Sequence, residues 1–288
     1  MMKMLNIRLC PKRKRHQLKT KMKIASFNAR RFGAKKIANK KVLSTIVEIV
    51  SRYDILLMLE CVDTHEKAVK KLLEELNSSE SGHYSYIISS SIGRNTYKEQ
   101  YLFVYRDDVV EVKECYQYPD EQPGDVDAFS REPFIVRFKP KSKDIKDIVM
   151  IPVHTTPTDS VKEIDELYDV CEMIKEHWDT EALIILGDFN ADGRYVSKSK
   201  MKQIRLRKDP TYHWLIGDDE DTTACSGTDC SYDRIVVHEK LYPYVVPGSA
   251  KVFNFQEAFE LAEEEALEVS DHYPVEVELK AKQKAGRR

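Results

Sequence analysis

The sequence reads as a mixed α/β domain, and three features carry that reading. Two near-continuous apolar runs, DILLMLE at 54–60 and ALIILG at 182–187, have the character of strands buried on both faces. Residues 161–178 place Val161, Ile164, Leu167, Cys171, Ile174 and Trp178 at spacings of three and four, which predicts an amphipathic helix. Strands alternate with helices at first and then dominate, with no internal repeat.

The elements follow in order. KIASFN at 23–28 is an alternating strand. Residues 41–52 form a helix with Val42, Ile46, Ile49 and Val50 on one face, and 64–77 form a second with Val69, Leu72, Leu73 and Leu76. Strands are predicted at 54–60, 84–89, 101–106, 109–116, 134–138 and 148–154, before the long helix. A strand at 182–187, a helix at 198–205 and strands at 234–237 and 274–279 complete the set. Nothing in 24–279 resembles a linker, so a single domain is expected, with basic tails at 1–22 and 280–288.

Hydrophobic residues make up 42% of the 288 and charged residues 33%. That balance excludes a collagen, a coiled coil and a low-complexity disordered chain. The apolar runs are too short to span a bilayer, so no membrane partner is expected. Charge is unevenly spread. Nine Lys/Arg in 1–23 and five in 280–288, with no acid in either, leave 32 cations against 48 acids in the body, a net of −16. A body this acidic does not hold polyanions by bulk charge, so work on phosphates requires divalent metals and a few placed arginines. The cluster Pro11-Lys12-Arg13-Lys14-Arg15 reads either as a nuclear-import or nucleic-acid-binding segment or as a solvated tail. Residues 1–23 contain no apolar stretch of the length a secretory leader needs. A nuclear or cytoplasmic location is therefore expected, or secretion if another start or delivery route is used. The six cysteines include no CxxC pair, which argues against a zinc ribbon. Cys225 and Cys230 could close a small loop.

Polar residues sit at the ends of the apolar strands: Asn28, Glu60, His154, Asp188 with Asn190, Asp233, and Asp271-His272. Catalytic groups collect at such places because the sheet holds them rigidly. A cap or turn role accounts for any one of them, but six of similar type weaken that explanation. Glu60, Asp188, Asn28 and Asn190 offer the oxygen ligands that hard divalent cations prefer. His154 and His272 among the acids suit proton transfer, since a carboxylate on one imidazole nitrogen raises the basicity of the other.

The segments KIASFN, GRNTYKE (93–99), FSREP (129–133), GDFNAD (187–192), YDRIV (232–236) and SDHYPV (270–275) occur in an order that resembles the deoxyribonuclease I family of the endonuclease/exonuclease/phosphatase superfamily. GRNTYKE, FSREP, and HTTP at 154–157 with the following EIDEL run are most similar to its deoxyribonuclease gamma branch. The resemblance covers about residues 23–279. It implies a four-layer α/β sandwich, two packed mixed sheets flanked by helices. It also implies a Mg²⁺- or Mn²⁺-dependent endonuclease that cleaves double-stranded DNA with low sequence specificity, leaves 5′-phosphates and is helped by Ca²⁺. The implied catalytic pairs are Glu99 with His154 and Asp233 with His272, and the implied metal ligands are Glu60, Asn28, Asp188 and Asp271. Arg131 and Asn190 match phosphate-contacting positions, and Arg30, Arg94 and Tyr97 match the DNA-contacting region.

The sequence also departs from the family. Val62 replaces a basic residue that enters the minor groove, which removes a cation contact. Gly193 stands where the family has a cysteine paired to the one at 230. No cysteine lies in 121–127, and the acidic calcium loop survives only as Asp125 and Asp127. These losses of cross-links fit a reducing compartment. Phe134 and Ile88 are bulky where actin docks on small apolar positions, so actin binding is not expected, and a monomer is. The competing readings are a phosphatase or phosphodiesterase acting on lipid or inositol phosphates, against which GRNTYKE and FSREP argue, and a DNA- or protein-binding module without activity, against which the intact His–carboxylate set argues.

Overall fold

A computed structural model describes residues 20–78, 83–120 and 127–281. The basic cluster 11–15, Cys10, Asp125 and residues 282–288 lie outside the described residues. Twelve strands form two six-stranded sheets. The first sheet contains β1 (Lys21–Phe32), β2 (Ile55–Cys61), β3 (Tyr84–Ile88), β4 (Gln100–Arg106), β11 (Lys251–Val252) and β12 (Val275–Lys280), in the order β11-β12-β1-β2-β4-β3. The second contains β5 (Val110–Gln117), β6 (Phe134–Pro140), β7 (Ile148–His154), β8 (Leu183–Asp188), β9 (Tyr212–Trp214) and β10 (Asp233–His238), in the order β5-β6-β7-β8-β10-β9. Both sheets are mixed: β1 runs parallel to β2, and β7 parallel to β8, among antiparallel neighbours.

Alternation along the buried strands builds the layers. In β2, Ile55, Leu57 and Leu59 enter the core between the sheets, while Leu56 and Met58 face the helices of the first sheet. In β8, Ile184 and Leu186 face the other sheet, while Leu183 and Ile185 pack under the long helix. Each strand therefore needs apolar side chains on both faces, which is why these segments read as unbroken hydrophobic runs. The outer layer on the first sheet contains α2 (Lys40–Val50), α3 (Lys67–Leu76) and α8 (Glu263–Val269), with the short α1 (Ala34–Ile37) and α7 (Phe255–Ala258). The second sheet is covered by α4 (Ser160–Trp178) and two single turns, α5 (Lys198–Met201) and α6 (Arg205–Lys208). The result is the expected four-layer sandwich.

Local differences from the sequence reading have physical causes. The first strand begins at Lys21, inside the expected tail, because Met22 is fully buried between the sheets and residues 21–26 pair with β12. That strand also passes beyond Asn28 through a register shift to Phe32, with Arg30 and Arg31 at positive φ. The helix expected at 198–205 is broken, because Ile204 is extended and the Arg205 N–H goes to the Asp165 carboxylate at 2.7 Å. Elements as short as α1, α7, β9 and β11 fall below the length at which periodicity is visible. Phe134, expected to obstruct a docking face, is buried between the sheets.

One glycine controls how closely the site strands approach. Gly187 has φ +143°, and a Cβ there would lie 1.9 Å from the Val153 carbonyl oxygen of β7. Gly187→Ala is expected to lower stability by on the order of 3 kcal/mol or more, read from the denaturant midpoint.

Candidate active site

Register alone brings three of the expected residues into a row. On the second sheet, Asp188 at the end of β8 pairs with His154 at the end of β7 on one side and with Asp233 at the start of β10 on the other. The first sheet supplies the rest from its adjoining edge. Asn28 lies before the β1 irregularity, Glu60 sits near the end of β2, and Glu99 precedes β4. His272 lies in the turn before β12 and forms an isolated bridge with Thr223.

Two His–carboxylate pairs face each other across Asp188. His154 Nδ1 meets Glu99 Oε1 at 2.5 Å, and His272 Nδ1 meets Asp233 Oδ2 at 2.7 Å. The outer nitrogens converge: His154 Nε2 is 3.7 Å and His272 Nε2 3.8 Å from the same oxygen, Asp188 Oδ2. Arg131 Nε lies 3.0 Å from Glu99 Oε2, and its guanidinium donates to the His154 carbonyl at 3.3 Å.

Electrostatics separate the two imidazoles. Burial works against the charged form of His154, but Glu99 outweighs it and the net shift is upward; Arg131 pulls it down and Asp188 pulls it up. Burial also opposes charge on His272, yet Asp233, Asp188 and Asp271 push it up to about 10. The Asp233 carboxyl is raised as well, by burial first and by Asp188, against the pull of His272. Glu99 is lowered: burial raises it, but His154 and Arg131 prevail. His154 thus has an arginine among its neighbours, whereas His272 has acids on every side.

The acidic floor is strained and underfilled. Glu60 adopts φ +54°. Its Oε2 accepts from Tyr97 Oη and from the Arg31 N–H, both at 3.1 Å. The Asn28 amide nitrogen donates to Glu60 Oε1 at 3.3 Å and to Asp188 Oδ2 at 3.2 Å, so weak donors bridge two carboxylates. Asp233 Oδ1 is buried without a hydrogen-bond partner. Asp188, Asp233 and His272 can each direct one ligand atom to a common point. Converging oxygen donors with unmet valence suit a hard divalent cation. Asp188 and Asp233 could hold one, with Glu60 on the side of Asp188 that Asn28 bridges.

Not every expected residue joins this cluster. Asp271, expected among the metal ligands, is half-exposed beside Arg30 at 3.6 Å. Arg94 is engaged with Asp127 and with the Phe129 carbonyl at 3.2 Å. Asn190 is buried at φ +47°, its amide donating to the Thr155 carbonyl at 3.1 Å. Tyr97 lies beneath the Arg31 guanidinium, 5.3 Å from its ring centre.

Sequence reasoning missed several supporting groups. Ser270 donates to the Asn28 carbonyl at 2.6 Å and accepts the His272 N–H at 3.1 Å, tying the turn before β12 to β1. Thr222 Oγ1 accepts from the Tyr232 and Asp233 N–H groups. Glu163, in the first turn of α4, accepts the Thr156 N–H at 2.9 Å. Ser270 lies within the SDHYPV segment and Glu163 within the EIDEL run. Their polar side chains gave no signal because their partners are distant in sequence or set by a turn.

The architecture and this arrangement define a hydrolase of the endonuclease/exonuclease/phosphatase class. The profile of the Endonuclease/Exonuclease/phosphatase family matches residues 25–272, and the chain belongs to that family. Within it, the chain belongs with the deoxyribonucleases. It is 51% identical to deoxyribonuclease gamma of Homo sapiens over 263 residues, covering 90% of this chain and 86% of that protein. It is 48% identical to deoxyribonuclease-1 of Bos taurus over 266 residues, covering 91% and 94%. Among solved structures, an endonuclease/exonuclease/phosphatase from Bacteroides vulgatus superposes with a TM-score of 0.62 at 18% identity, covering 91% of this chain and all of that one. At that identity the likeness concerns the fold.

The thiols and a buried acid each lead to a prediction. Cys61, Cys115, Cys171, Cys225 and Cys230 are free. A Cβ on Gly193 would lie 3.3 Å from Cys230 Sγ, so glycine leaves empty the place a bridging cysteine would take. Reductant is therefore expected to leave the melting temperature within about 1 °C of its starting value, and a large drop would reveal a structural disulfide. Burial pushes the Glu163 carboxyl up to about 7, against the pull of its Thr156 hydrogen bond and Arg131. The folded value exceeds the unfolded one of about 4.3, so the neutral acid adds stability below that point, and the gain is lost as pH rises through 7. Glu163→Gln should match the parent near pH 4 and exceed it near pH 8.5 by on the order of 2 kcal/mol in chemical denaturation.

Proposed function

We propose that this protein is a divalent-metal-dependent endonuclease that hydrolyses double-stranded DNA with low sequence specificity and leaves 5′-phosphate ends. The observation that carries the mechanism is the pair of imidazoles aimed from opposite sides at one carboxylate oxygen, each backed by its own buried acid. Hydrolysis of a phosphodiester needs one group to take a proton from water and another to give one to the leaving 3′ oxygen. Two separately oriented histidines meet that requirement.

The neighbours support one assignment of roles. His272, faced by Asp233, Asp188 and Asp271, has the greater proton affinity and is assigned the base, a role it fills in its neutral form. Asp233 fixes its Nδ1, leaving Nε2 to face water. His154 is oriented by Glu99, and Arg131 opposes the upward pull of that acid on its proton affinity. It protonates the leaving oxygen. Arg131, with one face against Glu99, offers the other to a phosphate oxygen, and Asn190 holds the Thr155 turn behind it. Arg30, Arg31 and Tyr97 form the DNA-facing wall beside Glu60. Glu60, Asp188, Asp233 and Asn28 would hold Mg²⁺ or Mn²⁺, whose charge offsets the negative charge that develops on the phosphate. Ca²⁺ would support the fold or the site.

Supercoiled-plasmid nicking tests this reading. Activity should require added Mg²⁺ or Mn²⁺ and vanish in excess chelator, and the new 5′ ends should accept label only after phosphatase treatment. Undiminished cleavage in chelator would refute it. His154→Ala and His272→Ala should each lower kcat by at least ~10²-fold. The double variant should lose little more, because the groups act as a unit. Near-native turnover in either single variant removes that histidine from the mechanism.

A further inference from the structure

Residues 193–208, just after the GDFNAD segment, contain seven Lys/Arg and no acid, inside a body of net charge −16. Three of the seven have carboxylates close by. Arg205 is held by Asp165 and Asp169, Arg207 pairs with Asp218, and Lys198 only skirts Asp219 at 3.9 Å, both groups largely exposed. Among the described residues, no ion pair engages Arg194, Lys200 or Lys202, and all three are exposed. A cationic strip left in water on an acidic protein lacks an internal role.

The strip is joined to the catalytic centre by aromatic rings. Tyr232 lies 6.3 Å from His272, ring centre to ring centre, and Tyr195 lies 5.5 Å from Tyr232. The Arg194 guanidinium covers Tyr195 at 5.1 Å and donates to its hydroxyl at 3.0 Å. Beyond Tyr195 the surface falls into a cleft of about 460 Å³ that Lys200 helps to line, and Lys198 and Lys202 border a second cleft of about 330 Å³. Starting at His272, the surface thus passes from flat rings to a stacked guanidinium to three lysines.

We propose that Arg194, Lys198, Lys200 and Lys202 form a second contact surface for the nucleic-acid backbone, on the His272 side of the scissile phosphate. Tyr195 and Tyr232 give it a rigid floor. The proposal rests on DNA as the substrate and deepens that reading. A stacked guanidinium is pre-organised for phosphate, and flexible lysines track a polyanion without reading sequence. The surface also offsets the cation missing at Val62, moving anchorage from the Glu60 side of the site to the His272 side. Nothing in the net charge suggests this, because the acids elsewhere hide it.

The test is binding of the full chain to a labelled 30-base-pair duplex in chelator, followed by fluorescence anisotropy across a salt series. Each lost phosphate contact reduces the slope of log affinity against log salt by about 0.9. Arg194→Ala should reduce it by about one, and changing all four residues to Ala by about three and a half. Lys113, Lys139, Lys143 and Lys146 line a separate cleft. Changing those four to Ala alters net charge equally and should leave the slope within about half a unit of the parent. Equal effects from both sets, or no change from the first, would overturn the proposal. Plasmid nicking at low salt with Mg²⁺ separates the two readings. A parent that binds with the stated slopes but never cleaves refutes the endonuclease reading and leaves the surface standing. Normal cleavage with unchanged slopes does the reverse.

Discussion

The site depends on burying several carboxylates at one end of two packed sheets. Glu99, Asp188, Asp233 and Glu163 are nearly removed from water. An unpaired buried charge is among the most costly groups a protein can hold. Three of them are matched to partners from distant segments: Glu99 to His154 and Arg131, Asp233 to His272, Asp188 to Asn28 and both imidazoles. The same pairing keeps the imidazoles oriented and raises their proton affinity. Stability and reactivity therefore come from one network, and its remaining negative charge is what a divalent cation would offset.

Backbone strain is concentrated around that network. Arg30, Arg31, Glu60 and Asn190 all have positive φ, a region that side-chain-bearing residues avoid. The irregularity in β1 turns the Asn28 amide toward Glu60 and Asp188, and the bend at Glu60 brings its carboxylate to the Arg31 N–H and the Tyr97 hydroxyl. Regular strands would send these groups to alternating faces. The layers behind them, filled by Ile, Leu and Val from both sheets, supply the rigidity that keeps such conformations populated.

Charge is organised locally and not in bulk. The body is acidic, and much of that acidity is spent in internal pairs, such as Arg205 with Asp165 and Asp169, or the buried Glu276 beneath Lys23, Arg52 and Tyr53. Cations also reach the site's rim: Arg30, beside the half-exposed Asp271, with Arg31 on one side, and Arg194 with its lysines on the other. On the proposed reading, a polyanionic substrate would be held by placed groups at the mouth of an acidic site.

The sequence by itself determined the class of fold, most of its long elements and the residues of the two His–carboxylate pairs that the structure brings together. Unbroken apolar runs mark strands covered on both faces, and the resemblance to the deoxyribonuclease I family implied both His–carboxylate pairs. It could not supply what depends on meetings between distant segments. Asp188 becomes the pivot only because β7 and β10 flank β8 in register, a consequence of sheet order that no local pattern contains. In the linear chain Asp271 is expected to bind a cation and Asp233 to pair with His272. Packing sends the first to the surface beside Arg30 and buries the second against His272. The short elements and the supporting roles of Ser270, Thr222 and Glu163 likewise exist only after the sheets have closed. Their energies come from burial and from partners that range from the same turn to a strand more than two hundred residues away, and tertiary structure alone decides both.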